Sequence, residues 1–229
     1  MKNELYIVIG AYGSGKSEYS IHLAQKLKSD GLDVVLVDMD VVNPYFRSRE
    51  VRDEFATLGI EVVAPDGAFS HADLPMISPR IMGMIENRDK TVILDVGGDP
   101  AGCRTLGRFE ERIKERGYQM QLVVNTMRPF TSSTAEILQM KDGLEFTSRL
   151  KVTELVCNTN LMEFTDQNVL EEGIAITQSV ADLAGLSFSK YLVLDAYSEL
   201  VGDGILGKKR EVMTYTLKKP WEMLISKRC

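Results

Sequence analysis

Eight consecutive residues near the N-terminus, Gly10-Ala11-Tyr12-Gly13-Ser14-Gly15-Lys16-Ser17, fit the spacing G-x-x-x-x-G-K-[ST] without a gap. Each residue type has a task in phosphate chemistry. Glycines let the backbone curl so that successive N–H groups point inward at anionic oxygens, a concavity that side chains would block. The ammonium of Lys16 bridges the outer phosphates of a nucleotide, and the Ser17 hydroxyl is a hard oxygen ligand for Mg²⁺. The context agrees, because a strand-like run, Leu5–Ile9, leads in and a helical pattern leaves from Lys16. That helix would turn its positive end toward the same anion. Gly10, Gly13, Ser14, Gly15, Lys16 and Ser17 are therefore the expected nucleotide-binding residues.

A phosphate loop needs carboxylates to hold the metal and to position water. Asp95 ends the apolar run Val92-Ile93-Leu94 and is followed by Val96-Gly97-Gly98, a D-x-x-G element whose Gly98 amide is placed to bond a γ-phosphate. Asp38 and Asp40 end a second run, Val34-Val35-Leu36-Val37. Ligands in open α/β sheets collect at the carboxyl ends of strands, so these acids can converge on one phosphate. The expected metal ligands are Ser17, Asp38 and Asp95. The expected catalytic groups are Lys16 with Asp40 and Asp99, the carboxylates orienting an attacking water.

The elements that must position these residues follow from periodicity. Short β-branched runs at Leu5–Ile9, Val34–Asp38, Glu61–Ala64, Thr91–Val96, Gln121–Asn125, Leu155–Asn158 and Tyr191–Asp195 alternate with amphipathic stretches. The helical patterns fall at 16–29, 44–58, 75–87, 102–116, 132–147 and 166–184. Asn43-Pro44 offers an N-cap followed by a proline at the first helical position, and Gly31, Gly59, Gly117 and Gly185 stand where helices should stop. Near-continuous Val/Ile/Leu strands are buried on both faces, as in a parallel sheet covered by helices. The expectation is a doubly wound α/β fold, a mainly parallel sheet of about seven strands with helices on both faces. No linker splits residues 1–229, which read as one nucleotide-binding domain. Residues 205–229 form its basic C-terminal extension, with Glu211–Leu217 a possible final strand.

The glycine-rich loop, the Asp38-Met39-Asp40 strand end and the D-x-x-G strand end together resemble the CobQ/CobB/MinD/ParA nucleotide-binding family, in the branch that also holds the nitrogenase iron protein and dethiobiotin synthetase. The resemblance covers roughly residues 4–200, although its specific motifs occupy three short segments. It implies Mg-nucleotide at Lys16, Ser17, Asp38 and Asp95, and a nucleotide-dependent homodimer in many members. One departure stands out. The MinD/ParA subgroup carries a signature lysine early in its loop, where this chain has Ala11. The cross-dimer lysine contact is thus lost, and Arg47 is either a substitute cation or plain surface. In the family, an asparagine at a late strand end contacts adenine, and Asn158 matches that place or else caps a turn. The guanine-reading N-K-x-D element is missing from Asn125-Thr126-Met127-Arg128 and from Asn158-Thr159-Asn160-Leu161, which favours ATP over GTP.

Composition narrows the rest. The chain of 229 residues has 44% hydrophobic and 26% charged residues, which excludes wholesale disorder. Residues 205–229 carry a local +5 inside a net −6, so the remainder is strongly acidic and repels nucleic acid. Cys103, Cys157 and Cys229 are scattered, only His22 and His71 supply imidazole, and no zinc spacing or cluster-ligand pair is present. No apolar run reaches the roughly 18 residues of a membrane span, and a cytoplasmic location is expected. His71, Asp73 and Arg128 either line a second-substrate pocket or are surface and turn residues.

Three functions remain consistent with these residues. The leading one is a Mg-ATP-binding switch that hydrolyses ATP slowly and works through a protein partner. The others are an ATP-dependent ligase or kinase of dethiobiotin-synthetase or cobyrinate type acting on a small molecule, and a nucleotide-binding adaptor that never hydrolyses.

Overall fold

The structure is a computed structural model that describes residues 3–39, 55–63, 79–98 and 100–217. Among these residues eight strands form one sheet: β1 (Leu5–Ile9), β2 (Val34–Asp38), β3 (Glu61–Val63), β4 (Thr91–Asp95), β5 (Gln119–Val124), β6 (Glu154–Cys157), β7 (Ser187–Leu194) and β8 (Lys209–Met213). Their order is β3-β2-β4-β1-β5-β6-β7-β8, and every neighbouring pair is parallel. The helices are α1 (Lys16–Ser29), α2 (Pro79–Glu86), α3 (Pro100–Gly107), α4 (Glu110–Arg116), α5 (Thr134–Ser148) and α6 (Gln167–Ala184).

Two-residue periodicity sorts the strand side chains onto two faces. Leu5, Ile7 and Ile9 of β1 join Val35, Leu94, Leu122 and Tyr191 in a core covered by α2 to α6. Val8, Leu36, Ile93, Val123 and Leu192 point the other way, against Tyr19, Leu23 and Leu27 of α1 and Phe55. Both faces are buried, which is why the central strands read as unbroken apolar runs rather than alternating ones.

The sheet of about seven expected strands has eight, the last formed by residues 209–213 of the expected extension as a parallel edge strand beside β7. Two local expectations change. The single helix expected over 102–116 is two, α3 and α4. Gly107, a poor helix former, closes α3 where it runs close to α5: a Cβ there would lie 3.2 Å from the Thr147 carbonyl oxygen. Beyond β8 the chain does not continue as strand but crosses to α1. The N-cap at Asn43-Pro44 and most of the 44–58 helix lie outside the described residues, as do residues 218–229.

Candidate functional site

The loop between β1 and α1 is shaped by close approach. Gly10 packs on the carboxyl end of β5, where a Cβ would overlap the Val123 carbonyl, and Gly98 of the D-x-x-G element packs backbone to backbone on Gly10. Gly15 adopts φ 84 as the residue before α1, a left-handed conformation that disfavours side chains. No side chain caps α1, whereas α5 carries a capping box (Ser133 and Glu136) and α6 is capped by Asp166. The N-terminus of α1 thus turns the positive end of the helix dipole toward the loop, where an anion is favoured. The buried Ser14 hydroxyl in the same loop has no hydrogen-bond partner among the described residues, a polar atom that a bound phosphate would satisfy.

Asp38 and Asp95 are register partners at the ends of β2 and β4, and alternation puts both on the α1 face. Both are buried, as are Lys16 and Ser17. Ser20, one turn along α1, donates its hydroxyl to Asp95 Oδ1 at 3.1 Å and so fixes that carboxylate. The Ser17 hydroxyl and two carboxylates make an oxygen-only donor set, the chemistry that suits Mg²⁺ held by one or two carboxylates, phosphate and water. Such an ion would neutralise charge on transferring phosphate oxygens.

The opposite flank of the loop is held by the ends of β5 and β6. Asn158 Nδ2 donates to the Ser14 carbonyl at 2.7 Å. Because a trans peptide is planar, turning the Ser14 carbonyl outward turns the Gly15 N–H inward. Arg128 Nε donates to the Gly13 carbonyl at 3.2 Å. The buried Asn125 side chain joins the two flanking turns, accepting from Met127 N at 3.0 Å and donating to the Asn160 carbonyl at 3.2 Å. Thr126 and Thr159 share a hydroxyl contact of 3.0 Å beneath them. Asn158, expected beside adenine or as a turn cap, thus has its amide nitrogen on the loop itself.

On the outer side of α1, the buried Glu18 carboxylate accepts from Thr216 N at 3.0 Å and Leu217 N at 2.6 Å, so the chain after β8 is tied to the helix turn that follows Lys16. Burial pushes the Glu18 carboxyl up, against the pull of those two bonds. Ser20, Glu18, Asn125 and Asn160 were not singled out by the sequence. Ser20 alone had a local signal, because it lies one helical turn from Lys16. Asp40, Asp99, Arg47, His71 and Asp73 lie outside the described residues. Cys103 and Cys157 are buried, and no group of three metal-binding side chains occurs among the described residues.

An eight-stranded parallel sheet with a glycine loop at β1–α1 and acids at adjacent strand ends defines a P-loop NTPase. The model of the CobQ/CobB/MinD/ParA nucleotide binding domain (CbiA) matches residues 5–187, and the chain belongs to that family. A comparison with curated protein sequences gave no match. Solved structures of similar fold include the cell division protein FtsY from Thermotoga maritima, at 19% identity and TM-score 0.59, matching 83% of this chain and 62% of that one. FtsY from Mycoplasma mycoides is similar at 14% identity and TM-score 0.57, over 84% and 60% of the two chains. So is the signal recognition particle receptor FtsY from Elizabethkingia anophelis in complex with GDP, at 18% and 0.52, over 84% and 58%. This chain spans about three fifths of the length of these proteins, and at such identities the likeness concerns the fold alone. No helix among the described residues is long and apolar enough to cross a membrane.

Proposed function

We propose that this protein binds Mg-ATP at the Gly10–Ser17 loop, hydrolyses it slowly and uses the nucleotide state as a switch toward a protein partner in the cytoplasm. The observation that carries the reading is the juxtaposition of Asp38 and Asp95 in register on the α1 face, beside the start of that helix. In this reading Lys16 and the loop amides, with Gly98, stabilise charge on the outer phosphate. Ser17, Asp38 and Asp95 hold magnesium directly or through water. Asp40 and Asp99 are the sequence candidates for orienting water. Residues 1–229 act as one nucleotide-binding domain, with the basic extension 205–229 the candidate contact for a partner.

The base preference is proposed from the missing N-K-x-D element, and the GDP bound to one FtsY structure is the reason to test both purines. Ala11 in place of the signature lysine favours a second reading, an ATP-dependent ligase or kinase for a small molecule, which needs no sandwich dimer. Release of free phosphate from MgATP or MgGTP by purified protein, with Lys16→Ala as blank, tests the proposal. Slow release from ATP that the variant abolishes is expected. Faster release from GTP would overturn the base assignment. Binding without release would shift the function to the ligase or to the non-hydrolysing adaptor.

A further inference from the structure

Sheet order dictates where a nucleoside must go. The two carboxylates lie at the ends of β4 and β2, on one side of β1, whereas β5 and β6 lie on its other side. A nucleotide with its phosphates in the Gly10–Ser17 loop and its outer phosphate toward Asp38 and Asp95 carries its sugar and base over the ends of β5 and β6. The amide groups found there are largely committed. The Asn125 side chain spans the two turns, Asn158 Nδ2 is on the loop, and Asn160 Nδ2 donates to the Asn158 carbonyl at 2.9 Å.

Arg128 is different. It is partly exposed, and among the described residues its side chain makes one hydrogen bond, from Nε to the Gly13 carbonyl. Its backbone is fixed on both sides: its N–H donates to the Asn125 carbonyl at 3.3 Å, and its carbonyl accepts from Thr131 Oγ1 at 3.2 Å. The same turn holds Phe130 at φ 65 with the residue 81% exposed, a strained conformation that the surrounding bonds maintain. Gly13 is the loop position against which the guanidinium lies, since a Cβ there would sit 3.3 Å from Arg128 Nε.

We propose that Arg128 is the platform on which the nucleoside stacks, its guanidinium plane anchored to the phosphate loop through Nε and its face turned to the purine. This rests on the nucleotide reading given above. Arginine suits the position better than lysine, because one planar group can donate at its Nε edge and still present a π-face. A stacking platform is indifferent to which purine it carries, since every base has a face. Arg128 therefore contributes affinity for nucleosides in general and leaves the choice of purine to other groups.

The test is calorimetric titration of MgADP, MgGDP and magnesium pyrophosphate into the wild type, Arg128→Ala, Arg128→Lys and Lys16→Ala. Arg128→Ala should weaken ADP and GDP alike, by about tenfold, and pyrophosphate much less. Arg128→Lys, which keeps a donor for Gly13 but loses the plane, should hold pyrophosphate as the wild type does and still lose nucleoside affinity. Equal losses for ADP and pyrophosphate in Arg128→Ala would mean that the residue only shapes the loop, which overturns the proposal. Unchanged ADP affinity overturns it as well. Failure of the nucleotide reading itself is recognised separately: the wild type would then bind neither ADP nor pyrophosphate.

Discussion

Helix α1 borders two clusters of polar groups, one buried and one partly buried, and they are built for different ends. At its N-terminus, the buried Lys16, Ser17, Asp38 and Asp95 accompany a glycine loop in which the Ser14 hydroxyl has no partner among the described residues. Along its flank a second cluster closes on itself. Glu211 of β8 accepts from Lys26 Nζ at 2.6 Å and meets His22 Nε2 at 3.0 Å, while Lys190 Nζ donates to the Tyr19 hydroxyl at 2.7 Å. Tyr19 passes its proton bond to Gln121 at 3.0 Å, and Gln121 donates to Glu154 at 2.7 Å. A network whose members answer one another fixes the packing of α1 on β5 to β8. The first cluster, among the described residues, leaves the buried Ser14 hydroxyl without a partner, a polar atom open to a ligand.

Electrostatics separates the clusters too. Burial alone would raise the Glu211 carboxyl, but the His22 hydrogen bond and the charges of Lys190 and Lys26 bring it down to about 2. Burial lowers the Lys190 ammonium, which also lies 5.0 Å over the Tyr19 ring. Removing one member of such a set strands the others, and a stranded buried charge costs more than the pair contributed.

The contrast can be broken at several points. Lys16→Ala should have the largest effect on ligand, weakening MgADP about 1,000-fold, or about 4 kcal/mol, with titration calorimetry as the readout. Glu211→Ala should lower unfolding stability by about 3 kcal/mol while leaving MgADP affinity unchanged. Denaturant melts would show that loss, and a matching loss of nucleotide affinity would mean that the clusters are one. Acid titration gives the next contrast. A depressed carboxyl stabilises the fold above its unfolded value of 4.5, so the Glu211 contribution should fade as pH drops from there toward about 2. Glu18 is raised and works in the opposite sense, its contribution fading as pH climbs above 4.5. Thermal melts of Glu211→Gln against the wild type over pH 2 to 5 should show a flatter acid limb in the variant. The smallest effect is expected for Ser20→Ala, about 1 kcal/mol, read as weaker dependence of ADP binding on magnesium once Asp95 loses its hydroxyl partner.

Much of this could be read from the chain because it is local. β1, the loop and α1 are contiguous, and their bounds in the structure are those the periodicity predicts, Leu5–Ile9 and Lys16–Ser29. The end of β2 was legible for the same reason, an apolar strand finishing in an acid. β8 was harder, because an edge strand carrying Lys209, Arg210 and Glu211 lacks the unbroken apolar run of a strand buried on both faces. The break at Gly107 was also hidden, since it depends on the distance to α5 rather than on residue type alone.

The sequence by itself determined the phosphate loop, the acids at strand ends and the parallel α/β class, because these follow from short spacings and from side-chain period. Only the tertiary structure decided which groups meet across long separations. Asp38 faces Asp95 through the register of β2 on β4. Arg128 reaches Gly13 across 115 positions, Asn158 reaches Ser14 across 144, and Glu18 holds Leu217 across 199. Such contacts are fixed by strand order and helix packing, where a one-residue slip would send a side chain to the other face.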